Sequence, residues 1–192
     1  MLDLKATRHV SPLLDSVGRW LGGVGVSPVA VSALGLAVTG VGALLVGAGE
    51  LLIGALVVGA GCALDALDGA VARASARASA RGAIVDSLFD RLGETFMWTG
   101  LAYYVAGRPA LVALCMLCLG LSFMISYLRS KAEIAGIEGR GGWMARPERV
   151  ILYVLGAGSG FIELMLWFMM FLTALTVVQR WRQVWLRLPQ RP

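Results

Sequence analysis

Long apolar runs alternate with short clusters of charge along this chain. No ionisable residue occurs from Pro28 to Gly49, and a second run from Leu51 to Leu64 leads straight into a pair of carboxylates. A membrane-spanning helix needs roughly 20 predominantly apolar residues. The pattern predicts six such spans, over about 28–46, 51–73, 82–105, 109–131, 147–160 and 162–185. Their connections alternate between very short ones (47–50, 107–108, 158–161) and longer basic ones (74–81, 132–146). Ahead of the spans, Val10, Leu13, Leu14, Val17, Trp20 and Leu21 recur at helical spacing, with Pro12 near the start. That periodicity predicts an amphipathic helix over about 10–22, lying on the membrane surface. Asp3, Lys5, Arg8, His9 and Asp15 interrupt any continuous apolar centre there, so no cleavable signal peptide is expected. The expected fold is an all-α membrane protein: one domain over 1–192, six spans, and a surface helix before them.

Composition agrees with the pattern. Apolar residues make up 58% of the chain and charged residues 15%, against about 25% charged in ordinary soluble domains. A core of this size cannot hide so much apolar surface from water. The net charge of +5 does not point to nucleic acid, because the basic residues sit in the connections between apolar runs. With both termini inside, all 17 Lys and Arg residues except Arg108 fall on or near the cytoplasmic side, the side on which insertion retains them. The expected location is the cell membrane, multi-pass, with both termini and the charged features discussed next at the cytoplasmic face. Cys62, Cys115 and Cys118 lie inside apolar segments. The CxxC of Cys115 and Cys118 has no accompanying His or further Cys and reads as packing.

Charge inside the spans changes the picture. Asp65 and Asp68 are spaced i, i+3 near the end of the second span, and Asp86 and Asp90 are spaced i, i+4 near the start of the third. Each pair therefore shares one face of its helix. An Asp at the centre of a membrane helix costs about 2.5 to 3.5 kcal/mol, and like charges this close cannot all stay ionised alone. A divalent cation removes the conflict, and carboxylate oxygen suits Mg²⁺, Mn²⁺ or Ca²⁺. Gly69 lets a nucleotide or a neighbouring helix approach the backbone, and Gly82 lies one turn before Asp86 on its face. Arg73 lies two turns beyond Asp65, placed to meet a diphosphate. Buried ion pairs such as Asp65–Arg73 are the plainer reading of any one of these residues, but four aspartates in this register are not explained by them.

The string D-x2-D-G-x2-A-R-x8-G-x3-D-x3-D, running from Asp65 to Asp90, resembles at all of its fixed positions the signature of the CDP-alcohol phosphotransferases. The resemblance extends over essentially the whole chain. It implies that a CDP-linked lipid, CDP-diacylglycerol or an ether analogue, binds around Asp65, Asp68, Gly69, Ala72, Arg73 and Gly82. It further implies that Asp65, Asp68, Asp86 and Asp90 hold two Mg²⁺ or Mn²⁺ ions, with Asp90 also the base. Members are homodimers, which the resemblance implies here too. One departure precedes the first span: many members have Ser/Thr-Pro-Asn where this chain has Ser27-Pro28-Val29.

The chemistry implied is attack of an alcohol hydroxyl on the lipid-side phosphorus, with CMP leaving and an aspartate taking the proton. Two features bear on the alcohol. The run Asp86-Ser-Leu-Phe-Asp90-Arg91 resembles the inositol-phosphate-using branch, whereas the glycerol-phosphate branch more often reads Asp-Pro…Asp-Lys. The cytoplasmic ends of the last three spans also carry Arg129, Lys131, Arg146, Arg149 and Arg180, a basic collar suited to a phosphorylated alcohol. The segments around them are similar to those of phosphatidylinositol-phosphate synthases, in which matching residues bind the phosphate of inositol phosphate. This implies that role for Lys131, Arg149 and Arg180, and for Arg129 and Arg146 beside them. The plainer reading of all five is that they set topology or reach the lipid headgroups. The expected activity is transfer of the phosphatidyl group to inositol 1-phosphate; glycerol 3-phosphate is the alternative acceptor. A cation transporter is the remaining reading, and the positive collar argues against it. Trp143, Trp167, Trp181 and Trp185 are expected at interfaces or lipid contacts, and the Met165–Met170 run is expected to face lipid.

Overall fold

A computed structural model describes residues 27–74, 80–139 and 141–188, with the backbone alone described over 66–74. Among these residues the fold is entirely helical: α1 (Pro28–Gly47), α2 (Leu51–Ala74), α3 (Ala80–Tyr104), α4 (Pro109–Ile134), α5 (Arg146–Gly158) and α6 (Ile162–Arg187). The surface helix expected over 10–22 lies outside the described residues.

Local chemistry explains the boundaries. Ser27 caps α1, its Oγ accepting from the Ala30 amide at 3.1 Å, and Pro28 occupies the first turn, where its missing N–H costs nothing. Pro109 and Pro147 open α4 and α5 in the same way. Gly49, at φ 95°, lets α1 turn back into α2 within three residues, and Gly160, at φ 78°, does so between α5 and α6.

Among the described residues, three helices, α1, α4 and α6, are long and apolar enough to cross a membrane. Six helices match the six expected, and of the rest α3 and α5 do not reach the same standard. An uncharged run from Leu51 to Leu64 opens α2, and α3 carries Arg81, Asp86, Asp90, Arg91 and Glu94. Helix α5 has 13 residues, about 20 Å of rise against a hydrocarbon core of about 30 Å. Helices α3 and α5 are less apolar than the other four because they carry charged residues described below.

Neighbouring helices pack in a cyclic order, α1–α2–α5–α6–α4–α3 and back to α1. Glycines set the closest approaches. A Cβ on Gly35 would fall 2.8 Å from the Gly61 carbonyl oxygen, and one on Gly42 2.9 Å from that of Gly54, so α1 and α2 run antiparallel almost backbone to backbone. Across the ring, large side chains fill the middle: Met97, Trp98 and Leu101 of α3 meet Tyr153 of α5 and Met165, Leu166 and Met169 of α6. Trp98 and Tyr153 pack edge to face at 5.7 Å, and the Tyr153 hydroxyl donates to the Met97 carbonyl at 3.0 Å. Met165 and Met169 are thus core residues, and only Trp167 and Phe168 of their run turn outward. Cys115 and Cys118 are fully buried, as packing residues should be. The outer surface is apolar: Leu44, Leu52, Ile53, Leu117, Phe168 and Phe171 are each more than half exposed. Such a surface is stable against lipid and not against water. The chain is a membrane protein.

One buried ion pair crosses the ring. Arg149 of α5, 2% exposed, meets Glu94 of α3, 3% exposed, and also donates to the Met144 carbonyl at 3.0 Å. Removing one partner of such a pair strands a buried charge, so Glu94→Ala should lower stability by about 3–5 kcal/mol. Reversible unfolding in mixed micelles measures this; a loss under about 1 kcal/mol, the scale of an exposed pair, would show that the contact does not hold α3 to α5.

Candidate metal centre and substrate site

The aspartates sit where helix packing forces them together. Gly35 of α1 brings that helix against the backbone of Asp65: a Cβ there would lie 2.9 Å from the Asp65 amide nitrogen and 3.2 Å from its Cβ. This contact sets the backbone of Asp65 against α1, and Asp65 is 5% exposed. Asp86 and Asp90 follow one another by a single turn on α3. Asp65, Asp86 and Asp90 each offer a carboxylate oxygen, and the three oxygens lie within 4.8 Å of one another. Oxygens bound at about 2.0–2.6 Å to one hard cation necessarily fall this close. The donor set is all carboxylate, which suits Mg²⁺ or Mn²⁺ rather than a thiolate-seeking metal.

Asp68, Gly69, Ala72 and Arg73 lie on α2, but their side chains fall outside the described residues. Gly82 lies on α3, one turn before Asp86.

A guanidinium sits on two of the three aspartates. Nη1 of Arg146, the first residue of α5, lies 2.5 Å from Asp65 Oδ2 and also pairs with Asp90 Oδ1. The other oxygen of Asp90 meets Arg91 Nη2 at 3.3 Å. Arg91 is held in turn by Glu94 Oε2 at 2.9 Å and by the Ser126 hydroxyl at 2.5 Å. Asp90 and Glu94 are one turn apart on α3, and Arg146 and Arg149 are one turn apart on α5. The two helices therefore run parallel at this level and exchange two successive ion pairs.

The basic collar divides. Arg146 reaches the aspartates. Arg149, expected at the acceptor phosphate, is instead buried against Glu94 and the Met144 carbonyl. Arg180, also expected there, is buried too. Its Nε donates to the Gly141 carbonyl at 2.9 Å and its Nη1 to that of Ile125 at 2.8 Å, which ties the connection before α5 to the ends of α4 and α6. Lys131 is exposed, its ammonium 5.5 Å from the Tyr127 ring, and Arg129 pairs with Glu133 on the surface at 2.8 Å.

Glu94 and Ser126 carry no role in the sequence pattern, and Arg91 figures there only in the run from Asp86. Glu94 did leave a trace, since it continues the face of Asp86 and Asp90 by one more turn in an otherwise apolar stretch.

An apolar groove of about 410 Å³ runs between α2 and α5, lined by Gly59, Cys62, Ala63, Val150 and Val154, and ends at Arg146. A larger cavity of about 760 Å³ lies at the opposite end of the bundle, beside the exposed Arg108–Glu163 pair. No carboxylate cluster accompanies it among the described residues, so the chemistry belongs to the aspartate end.

Comparison with known proteins agrees with this geometry. The phosphatidylinositol phosphate synthase of Mycolicibacterium smegmatis is 38% identical over 107 residues, 54% of this chain and 48% of that protein. The aligned stretch thus spans about half the length of this relative. A crystal structure of the Mycobacterium tuberculosis phosphatidylinositol phosphate synthase with CDP-DAG bound superposes with a TM-score of 0.82 at 34% identity, covering 91% of this chain and 94% of that one. A second structure of that protein, in complex with manganese and citrate, gives 0.81 at 34% identity, covering 90% and 88%. The model of the CDP-alcohol phosphatidyltransferase family matches residues 26–185, and this chain belongs to that family.

Proposed function

We propose that this protein transfers the phosphatidyl group of CDP-diacylglycerol, or of an ether-lipid analogue, to inositol 1-phosphate, releasing CMP. The observation that carries the reading is the convergence of Asp65, Asp86 and Asp90 from two helices. The names of the mycobacterial relatives and the CDP-DAG and manganese found in the neighbouring structures support it.

In this reading Asp65, Asp86 and Asp90, with Asp68 from the signature, hold two Mg²⁺ or Mn²⁺ ions. Bound there, the ions neutralise the diphosphate and stabilise the departing CMP. The chain's own residues do the rest. Gly69, Ala72 and Gly82 leave room for the cytidine nucleotide, and Arg73 meets the diphosphate. The groove between α2 and α5 takes an acyl chain. The acceptor hydroxyl gives its proton to Asp90 as its oxygen bonds to the lipid-side phosphorus. The bond from that phosphorus to the CMP oxygen breaks, and CMP leaves with the electron pair.

On the acceptor side, Lys131 and Arg146 meet the phosphate of the alcohol. Arg180 and Arg149 fix the connection and helix that carry them, and Arg129 stays at the rim. Placing the site at one end of the bundle serves a lipid that stays in the bilayer and an alcohol that arrives from water. In full, the reading is one domain over 1–192 with six spans, a surface helix over about 10–22, both termini and the aspartates cytoplasmic, and a homodimeric assembly.

Release of radiolabelled CMP by the purified protein, given CDP-diacylglycerol, Mn²⁺ and a panel of acceptors, tests the assignment. Turnover is expected with inositol 1-phosphate and to be lost in Asp90→Asn, with CDP-lipid binding largely spared. Turnover with glycerol 3-phosphate alone would move the protein to the other branch, and full turnover of Asp90→Asn would remove the base. Lys131→Ala and Arg180→Ala should raise the acceptor's KM about tenfold or more, the loss of one charged hydrogen bond to phosphate or of the scaffold behind it. The KM for the CDP-lipid should change far less; equal changes in both would make the collar a matter of topology.

A further inference from the structure

Two arginines touch Asp90, and they are held very differently. Arg91 is anchored from behind by Glu94 and Ser126 and reaches Asp90 only at 3.3 Å. Arg146 has no comparable anchor: its described partners are the two aspartates, and its Nε is buried without a hydrogen-bond partner. A buried N–H left unmade weakens the seat it occupies. Its guanidinium lies beside Gly93, where a Cβ would stand in ordinary contact 3.8 Å from Arg146 Nη2. Arg146 also begins its helix rather than lying within it, and its side chain is about a quarter exposed (23%), so it can leave without disturbing the core.

The atoms it touches are Asp65 Oδ2 and Asp90 Oδ1, on two of the three carboxylates that could share a cation. A dication on those oxygens and a guanidinium at hydrogen-bond distance from them would stand within about 4 Å of each other. At that separation, in a poorly hydrated site, like charges repel strongly. The two occupants exclude one another.

We propose that Arg146 is an intramolecular competitor of the divalent cation: it holds Asp65 and Asp90 together, is displaced when a cation takes them, and is then free to meet a substrate phosphate beside them. This inference rests on the metal reading of the aspartates given above. It makes cation and phosphate binding mutually reinforcing, because each favours the same displaced position of one side chain. Arg146 is then a positioning residue for the metal site as well as a phosphate ligand.

The test is Mn²⁺ binding to the purified protein in detergent, read from the resonance of free Mn²⁺ and independent of turnover. Removing a competitor raises apparent affinity by the inverse of the fraction of sites it left free, so if Arg146 holds about nine sites in ten, Arg146→Gln should bind Mn²⁺ about tenfold more tightly than wild type. Arg146→Lys, which keeps the charge but loses the planar fork, should fall between them and serves if the Gln variant does not purify. Arg91→Gln removes a charge next to Asp90 without vacating the contested position, and should tighten Mn²⁺ binding by clearly less than Arg146→Gln does. Inorganic phosphate should tighten Mn²⁺ binding in wild type and not in Arg146→Gln. Unchanged or weaker Mn²⁺ binding in both Arg146 variants would overturn the proposal, as would equal tightening in Arg91→Gln. Failure of the metal reading looks different: wild type would then bind no more Mn²⁺ than Asp90→Asn.

Discussion

Three carboxylates drawn within 4.8 Å of one another at one end of an apolar bundle cannot be held there without positive charge. Much of the surrounding architecture answers to that constraint. Arg146 and Arg91 reach Asp90 from two directions, and Arg146 binds Asp65 as well. Glu94 then balances Arg91 and Arg149, so charge is matched outward from the aspartates in successive turns of α3 and α5. A site made of converging carboxylates is suited to a cation, which neutralises the charge they bring together.

The backbone that brings the carboxylates together is built from small residues. Gly35, Gly42, Gly54 and Gly61 let α1 and α2 approach so closely that the backbone at Asp65 is packed against α1. Gly100 does the same between α1 and α3, where a Cβ would fall 2.2 Å from the Ala43 carbonyl oxygen. Helix α1 carries none of the chemistry. It fixes the relative position of the two helices that do. Across the ring, Trp98 against Tyr153 and Glu94 against Arg149 set where α5 begins, and so where Arg146 stands.

Sequence reading recovered the elements that depend on local pattern. Helix α1 was expected over 28–46 and runs Pro28–Gly47, because an uncharged run and a Ser-Pro start signal leave little choice. Helix α5, expected over 147–160, is Arg146–Gly158, too short and too charged to look like α1, α4 or α6. Among site residues, Asp65, Asp86 and Asp90 were legible because i, i+4 spacing on α3 and the end of α2 place them on predictable faces. The split of the basic collar was not. Arg146 and Arg149 share a face one turn apart, and nothing local tells which meets the aspartates and which meets a carboxylate a turn higher. That is decided by the axial offset of α3 against α5, a tertiary quantity. The burial of Arg180 likewise depends on how the connection before α5 folds back, which brings the Gly141 carbonyl to its Nε.

Anomalous diffraction from crystals of the protein soaked in Mn²⁺ tests the central claim most directly. The account predicts density among the carboxylates of Asp65, Asp86 and Asp90, with the Arg146 guanidinium moved off Asp65 and Asp90. Manganese bound elsewhere, or aspartates that take up none while Arg146 keeps its place, would contradict it.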